Sequence, residues 1–168
     1  PGPLRKFLVI WSEEIDALYE GETNTVSPRP GNSLGLTDTY NVRELCDLIH
    51  AETASVLAVY GGDFYAGRPA LTENRFGDGT AFYVAARHDG AFLAAFLGAV
   101  AGRLDLRRAL DADLPEGVTA QLRTDGESDF LFLLNFQPTE QEIDLGLETL
   151  EDMLSGEAAS GCVTLSGF

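Results

Sequence analysis

The pattern of the sequence changes near residue 102, and this change limits the possible folds more than any other feature. Before it, stretches with helical spacing of apolar residues alternate with short apolar runs and turns. After it, only short strand-like stretches separated by turn residues remain. Alternating strands and helices are typical of layered α/β domains, whereas strands and turns alone are typical of antiparallel sheets. We therefore predict an α/β domain over residues 1–102 and a small antiparallel β-domain over residues 103–168.

Residues 42–51 carry the clearest helix signal of the first region. Asn41 stands at an N-cap position and Glu44 follows three residues later, which is the arrangement of a capping box. The next apolar residues recur at helical spacing, so the sequence predicts an amphipathic helix over Val42–Ala51 that faces a sheet. Residues 20–40 contain two prolines and many small polar residues and are predicted to form a loop. For the opening stretch Leu4–Leu18, periodicity alone does not decide between a buried strand and a short helix.

A strand, a hairpin and a second helix are predicted next. Ser55–Tyr60 is a short apolar run stopped by two glycines. Aromatic and β-branched residues on both sides of Gly77-Asp78-Gly79 predict a hairpin over residues 68–86. Asp89 is expected to cap a helix that runs to about Gly102, because the apolar residues between them repeat at intervals of three and four.

One strong turn signal dominates the tail of the chain. Asp125-Gly126 separates two strand-like runs, and residues of this kind accept the positive φ that a tight hairpin turn requires. Three further short strands are predicted, around residues 142–145, 153–154 and 163–165.

Charge and cysteine content exclude several classes of function. The formal net charge of −16 repels phosphate backbones and anionic membrane surfaces, so we expect no nucleic-acid partner and no membrane partner. No apolar run reaches the roughly 18–20 residues of a membrane helix, and no signal peptide is recognisable. Cys46 and Cys162 lie far apart and indicate reduced thiols in a cytoplasmic protein. The opening Pro-Gly-Pro, without a methionine, favours a piece of a longer protein.

The densest acidic cluster consists of Glu13, Glu14 and Asp16, next to Trp11. The neighbouring side chains of Glu13 and Glu14 point in different directions on a strand or a helix, which argues against a catalytic pair. We interpret the cluster as a solvated acidic edge. Trp11 is expected to make a packing contact or, as a second possibility, an oligomer contact.

The other potentially reactive side chains lack the neighbouring residues that a catalytic or phosphate-binding site requires. No nucleophile in a strand–turn–helix elbow accompanies His50 or His88, and His88 is predicted to be a helix-capping or surface residue. Cys46, inside the predicted helix, is expected to behave as a small hydrophobe. Gly77-Asp78-Gly79 precedes a strand without a following lysine, which favours a turn over a phosphate loop. The two aromatic residues of Asp63-Phe64-Tyr65 are expected to be exposed, and packing against another domain or subunit is favoured over sugar stacking.

A long central block of the sequence resembles one known family. Residues 60–79, YGGDFYAGRPALTENRFGDG, closely resemble the trimerisation domain of β-galactosidases of glycoside hydrolase family 42. The shorter stretches similar to that domain are IWSEEIDAL at 10–18, LCDLI at 45–49 and AARHD at 85–89. Two stretches of the tail, LPEGV at 114–118 and FLLNF at 132–136, are similar to the family's C-terminal β-domain. The resemblance covers nearly the whole chain.

This resemblance implies a parent enzyme whose N-terminal (β/α)8 barrel hydrolyses terminal β-D-galactosides with retention, by means of two glutamates. It also implies that residues 1–102 are the second part of a layered α/β domain with a flavodoxin-like fold, similar to class I glutamine amidotransferases. In the barrel clan the acid/base is the glutamate of an Asn-Glu step, and every asparagine of this sequence is followed by another residue. We therefore predict no catalytic, cofactor-binding or metal-binding residue in the chain, and no galactoside hydrolysis by the chain alone.

Three functions were weighed against these patterns. The first is a non-catalytic oligomerisation portion of a β-galactosidase, part of a homotrimer, in which only the absent barrel binds the galactoside. The second is a carbohydrate-binding module on the β-domain, which needs a row of exposed aromatic residues on one strand face. Phe130, Phe132 and Phe136 alternate there, but Leu134 among them favours a core position. The third, an independent enzyme, has no supporting arrangement of residues.

Overall fold

Antiparallel strands account for most of the regular structure of the chain. The computed structural model describes residues 2–168, apart from the side chains of residues 147 and 148. Strands make up 48% of the structure and helices 11%. The α/β fold class predicted for residues 1–102, with its flavodoxin-like layers, is therefore wrong. The chain falls into two compact units, one ending at Leu106 and the other spanning Arg107–Phe168.

The first unit is built around one antiparallel sheet. Its elements are α1 (Arg5–Leu8), β1 (Ile10–Ala17), β2 (Asn24–Pro28), β3 (Tyr40–Ala51), β4 (Ser55–Tyr60), β5 (Pro69–Phe76), β6 (Gly79–Val84), β7 (Ala86–His88) and α2 (Gly90–Arg103). The strand order is β1-β3-β2-β4-β5-β6, and β7 pairs with β3. Ala85 links β5 to β3, because its backbone N–H donates to Ala70 and its carbonyl accepts from the N–H of Asp47. The sheet therefore curls back on itself around its core.

The helix predicted over Val42–Ala51 is instead the long strand β3. Glu44 has a positive φ of 67° and marks a bulge, since the register with β7 shifts between Val42 and Cys46. Beyond the bulge both faces of the strand are covered, so Leu48 and Ile49 are buried next to each other. The resulting spacing of apolar residues imitates a helix. A bulge produces this spacing without any helical hydrogen bond.

The loop predicted over residues 20–40 contains the strand β2. Val26 is completely buried, and β2 pairs with β3 on one side and β4 on the other. Pro28 lies at the last position of this strand, where a missing N–H is tolerated. The prolines and polar residues of this segment therefore led to the prediction of a loop where the structure has a short central strand.

The predictions that rest on local signals are confirmed. Ser55–Tyr60 is β4, and β5 and β6 form a hairpin with Gly77 at a positive φ of 58° in its turn. The side chain of Asp89 accepts a hydrogen bond of 3.0 Å from the N–H of Phe92 and caps α2. The opening stretch, left open between helix and strand, contains the short helix α1 followed by the strand β1.

The second unit consists of two hairpins around a small core. Its strands are β8 (Val118–Thr124), β9 (Asp129–Asn135), β10 (Gln141–Glu151) and β11 (Ala158–Leu165). β8 pairs with β9, and β10 pairs with β11. The carboxylate of Asp125 accepts from the N–H groups of Glu127 and Ser128, which fixes the predicted turn. The buried side chains that make up its core are Leu110, Val118, Ile143 and Leu145.

The short strand predicted around residues 153–154 is wrong. The side chain of Asp152 accepts from the N–H of Leu154, and the N–H of Gly156 donates to the carbonyl of Asp152. These bonds form the turn between β10 and β11, where Met153 and Leu154 are exposed. The strands predicted around 142–145 and 163–165 lie within β10 and β11 and are confirmed.

Candidate interaction surfaces

The first candidate site is a cluster of polar and aromatic side chains on β1 and β3. The indole of Trp11 stacks on the imidazole of His50, with ring centroids 4.2 Å apart and planes 6° from parallel. His50 Nε2 lies 2.7 Å from Glu13 Oε2, and Arg68 Nη1 donates to the same oxygen at 3.0 Å. The pairing of β1 with β3 shifts register between Ser12 and Glu14, and the resulting bulge presents Glu13 to both partners.

The electrostatics of this cluster do not suit acid catalysis. Hydrogen bonds from His50 and then Arg68 lower the pKa of the Glu13 carboxyl, so it is ionised at neutral pH. Asp16 accepts a hydrogen bond of 2.9 Å from the hydroxyl of Tyr65 instead, and Glu14 is exposed. The three acidic residues of the predicted cluster therefore have separate surroundings. Trp11 is half-buried in its stacking contact.

Asp47 is the centre of a hydrogen-bond network that the sequence did not reveal. The hydroxyls of Ser12 and Tyr83 donate to its carboxylate, and the hydroxyl of Tyr60 donates to its backbone carbonyl at 3.1 Å. Burial, together with the Asp47 contact, raises the pKa of Tyr83 to about 12. Ser12, Tyr60 and Tyr83 lie on β1, β4 and β6, so no local pattern in the sequence indicates that they meet at Asp47. A mainly apolar cavity of about 280 Å³ beside this network is lined partly by Arg5, Ser12 and Tyr83.

The segment between β4 and β5 is held by buried side chains. The amide of Asn24 donates to the carbonyl of Gly62 at 3.0 Å and accepts from its N–H at 2.9 Å. Tyr65 is fully buried, whereas Phe64 is 68% exposed, so the expectation of two exposed aromatics is wrong for Tyr65. A positive φ of 66° at Asp63 turns the chain, and the exposed ring of Phe64 packs edge-to-face on the buried ring of Tyr65 with centroids 4.9 Å apart.

Cys46 is buried in the core between these elements. Burial raises the pKa of its thiol, with smaller effects from neighbouring hydroxyls and carboxylates. A thiol with a raised pKa is a poor nucleophile, since the thiolate is the reactive form. Its position in a strand differs from the predicted helix, while its surroundings are apolar as expected.

His88 is buried, which corrects its prediction as a capping or surface residue. Its ring stacks on Phe92, with centroids 3.6 Å apart, and Asp89 caps the helix instead. Neither ring nitrogen has a hydrogen-bond partner within residues 2–168. Burial lowers the pKa of His88 to about 4, against a small opposing effect from Asp89. His88 is therefore neutral at physiological pH.

Two groups of exposed apolar side chains stand out among residues 2–168. On α2 Leu93 and Leu97 are exposed, as is Leu104 directly after the helix, while Phe92 on the opposite side is fully buried. A row of large apolar side chains on β9 and the residue after it is also exposed: Phe132, Leu134 and Phe136. The core position expected for this row is therefore wrong for these three residues. We refer to the first as the α2 face and to the second as the β9 row.

The described residues contain no group of three or more histidine, cysteine, aspartate or glutamate side chains placed to hold a metal ion. Among the same residues, no helix is long and apolar enough to cross a membrane.

The fold and these surfaces define a β-sheet protein whose most distinctive exposed features are apolar faces rather than an enclosed polar site. Comparison with known families is consistent with this description. Residues 1–107 match the family model of the β-galactosidase trimerisation domain, and residues 117–168 match that of the β-galactosidase C-terminal domain. The chain therefore belongs to the β-galactosidases of glycoside hydrolase family 42.

Individual relatives match almost the whole chain. The chain is 50% identical to the β-galactosidase Pbg of Clostridium perfringens over 157 residues, which cover 94% of the chain and 23% of that protein. It is 42% identical over 168 residues to BglY of Alicyclobacillus acidocaldarius, covering 100% of the chain and 24% of that protein. The chain thus spans about a quarter of the length of these relatives.

Solved structures of β-galactosidases match the chain over a similar extent. The enzyme from Bacillus circulans sp. alkalophilus matches with a TM-score of 0.89 and 38% identity, over 99% of this chain and 24% of that one. The enzyme from Rahnella sp. R3 matches with a TM-score of 0.86 and 47% identity, over 100% of this chain and 24% of that one.

Proposed function

We propose that this chain is the non-catalytic assembly portion of a β-galactosidase that hydrolyses terminal non-reducing β-D-galactosides. The match of residues 1–107 to a trimerisation domain is the observation that carries this proposal. The relatives named β-galactosidase are about four times as long as the chain, which leaves room in such proteins for a separate catalytic barrel. The role of the chain is then to hold subunits together, and the parent assembly is a homotrimer.

The chemistry of the acidic residues supports the assignment of catalysis to another part of the protein. Retaining hydrolysis needs two facing carboxyl groups, one protonated and one ionised, roughly 5–5.5 Å apart. Glu13 is held in its ionised form by His50 and Arg68, and Asp16 is engaged by Tyr65. No Asn-Glu step occurs in the sequence. In this proposal galactoside binds only to the barrel, and the chain itself needs no cofactor.

A cytoplasmic location is part of the same proposal. Its support is that Cys46 and Cys162 are both free thiols, as expected in a reducing compartment. The net charge of −16 also disfavours partners with phosphate backbones.

Sedimentation equilibrium of the purified 168-residue chain tests the assembly role. The monomer has a mass of 18.1 kDa. We expect the apparent mass to rise with concentration towards three times this value. A single monomeric species at every concentration up to several hundred micromolar would contradict the proposal.

Carbohydrate binding at the β9 row is the second candidate function. The exposure of Phe132, at 50% of its surface, is the observation that favours it. Across the strand pair Phe132 lies opposite Gln121, and Leu134 lies opposite Thr119, so polar side chains flank the apolar row. Calorimetric titration with lactose tests it: binding heat that disappears in Phe132→Ala supports a sugar site, and no heat in the unaltered chain excludes one.

A further inference from the structure

The sequence contains three aspartates that are each followed directly by a glycine. They are Asp78, Asp89 and Asp125. In such a step the backbone nitrogen of the glycine can attack the side-chain carboxyl carbon of the aspartate, because glycine has no Cβ atom to shield its nitrogen and allows unusual backbone angles. The two reacting residues are the same in all three steps, so the structure around each step decides how they differ in the folded chain.

The reaction is an intramolecular condensation followed by hydrolysis. The glycine nitrogen forms a bond to the side-chain carbon Cγ, the carboxyl C–O bond breaks, and the amide proton leaves with the carboxyl hydroxyl group as water. The product is a cyclic imide, a succinimide. Water then opens the ring at either carbonyl group, which gives back aspartate or gives isoaspartate, in which the main chain continues through Cγ. The reaction consumes no oxidant, reductant or cofactor.

Hydrogen bonds hold two of the three carboxyl groups away from this reaction. The carboxylate of Asp89 accepts from the N–H of Phe92 at 3.0 Å as the cap of α2. The carboxylate of Asp125 accepts from the N–H groups of Glu127 at 3.0 Å and Ser128 at 2.8 Å. Ring closure requires the carboxyl group to turn towards the following glycine, so these bonds have to break first.

Two further features protect the step at Asp125. The N–H of Gly126, which is the attacking group, donates to Oγ1 of Thr124 at 3.0 Å. Backbone hydrogen bonds from Ser128 and then Glu127 also lower the pKa of the Asp125 carboxyl. An ionised carboxylate closes the ring poorly, because the hydroxyl group of the protonated acid is the group that leaves as water. The turn therefore restrains both reacting groups.

Asp78 has none of these restraints. It lies in the two-residue turn of the β5–β6 hairpin, between the paired residues Phe76 and Gly79. It is exposed, and its carboxylate, unlike the other two, accepts no hydrogen bond within residues 2–168. A Cβ atom built on Gly77 would meet nothing within 4 Å, and one built on Gly79 would meet only the Phe76 carbonyl group, at 3.7 Å. The carboxyl group therefore has open space in which to turn towards Gly79.

We propose that Asp78 is the site at which the folded chain forms isoaspartate, while the structure protects Asp89 and Asp125. This inference is independent of the proposed function. Isoaspartate adds a methylene group to the main chain, and the length of a turn fixes the register of its hairpin. Conversion of Asp78 therefore disturbs the pairing at Phe76, whose ring packs edge-to-face on Phe7 with centroids 5.3 Å apart.

Ageing of the folded chain in water enriched in a heavy oxygen isotope tests this inference. A solvent oxygen opens each succinimide, so every aspartate that has passed through the ring gains heavy oxygen, which peptide mapping by mass spectrometry locates. We expect Asp78 to gain label at least about tenfold faster than Asp89 or Asp125, because breaking a hydrogen bond to a charged group costs about that factor. In guanidinium chloride, which unfolds the chain, all three aspartates should gain label faster and at similar rates.

Two glycine variants test the chemistry at constant fold. Gly79→Ala places a methyl group beside the attacking nitrogen in a turn that has room for it, and it should slow labelling of Asp78 several-fold. Gly90→Ala is the matched control, because it makes the same change beside Asp89, also without a close contact, and should leave the labelling of Asp78 unchanged. Circular dichroism verifies the fold of both variants. The comparison of folded and unfolded chain needs neither variant.

Several results would overturn the inference. Equal labelling of the three aspartates in the folded chain would show that the hydrogen bonds at Asp89 and Asp125 give no protection. An unlabelled Asp78 in the folded chain, with label in the unfolded chain, would show that the hairpin turn protects this step as well. The same preference for Asp78 in the unfolded chain would assign the difference to local sequence. Undiminished labelling of Asp78 in a folded Gly79→Ala variant would exclude attack by that nitrogen.

Discussion

Replacement of His88 by phenylalanine should make the stability of the chain less sensitive to acid. His88 is nine-tenths buried against Phe92, and both of its ring nitrogens lack hydrogen-bond partners in the described chain. Its pKa is about 4 in the folded chain and 6.5 when unperturbed. As the pH falls through 6.5, the unfolded chain takes up a proton at this residue that the folded chain does not. The free energy of unfolding therefore falls as the pH decreases, and this loss is complete only below about pH 4.

The size of this effect follows from the two pKa values. Linkage predicts a loss from His88 of about 1.4 kcal/mol at pH 5.5 and about 2.6 kcal/mol at pH 4.5, relative to neutral pH. The full loss is about 3 kcal/mol, a large fraction of the stability of an ordinary domain. Phenylalanine keeps the stacked ring, removes both nitrogens and cannot take up a proton. At pH 7.5 the His88→Phe variant should be at least as stable as the unaltered chain, because no unsatisfied polar atom remains.

Urea denaturation between pH 7.5 and 4.5, followed by circular dichroism, measures the effect. Circular dichroism is preferred to tryptophan fluorescence because the sole tryptophan, Trp11, stacks on the other histidine. If the free energy of unfolding changed with pH by the same amount in His88→Phe and in the unaltered chain, the reasoning would be refuted.

Three further outcomes are expected. Gly61→Ala should lower the free energy of unfolding by about 1–3 kcal/mol in urea denaturation, because its methyl group would overlap the side chain of Thr25; an unchanged midpoint would contradict this packing. Asp89→Ala should destabilise the chain by about 1 kcal/mol in the same assay through loss of the α2 cap, and no change would show that the cap contributes little. A thiol reagent should modify only Cys162 rapidly in the folded chain and both cysteines in denaturant, so rapid modification of Cys46 would contradict its burial.

The parts of the fold that were predicted correctly depend on local signals. The β5–β6 hairpin, the Asp89 cap of α2 and the Asp125-Gly126 turn are each determined by residues close together in sequence. Such features form through turn geometry and capping bonds that do not require the rest of the chain. Their confirmation therefore does not depend on the fold class being right.

The errors come from contacts between distant residues. Asn41 and Glu44 look like a capping box, but Asn41 pairs with Thr25 in the sheet and Glu44 occupies a bulge. Tertiary pairing overrides local helix preference in such a segment. The prediction of a layered α/β domain followed from this one misassigned helix and from the fold that the family resemblance implied. The short strand β2, within residues 20–40, was missed for the same reason, since its neighbours lie far along the sequence.

The candidate surfaces were predictable only in part. The apolar spacing of α2 was visible in the sequence, but its open outer face required the structure. The network around Asp47 joins four strands and has no sequence signature. His88 was noticed as one of two histidines, yet its burial depends on its stacking against Phe92.

The most direct test of an assembly role without catalysis is a turnover assay of the purified chain with a nitrophenyl β-D-galactoside. We expect no release of nitrophenol above the buffer rate at any concentration of the chain, because hydrolysis needs a pair of facing carboxyl groups that the described residues do not provide around Glu13 and Asp16. Saturable turnover that purifies together with the 18.1 kDa chain would contradict the account.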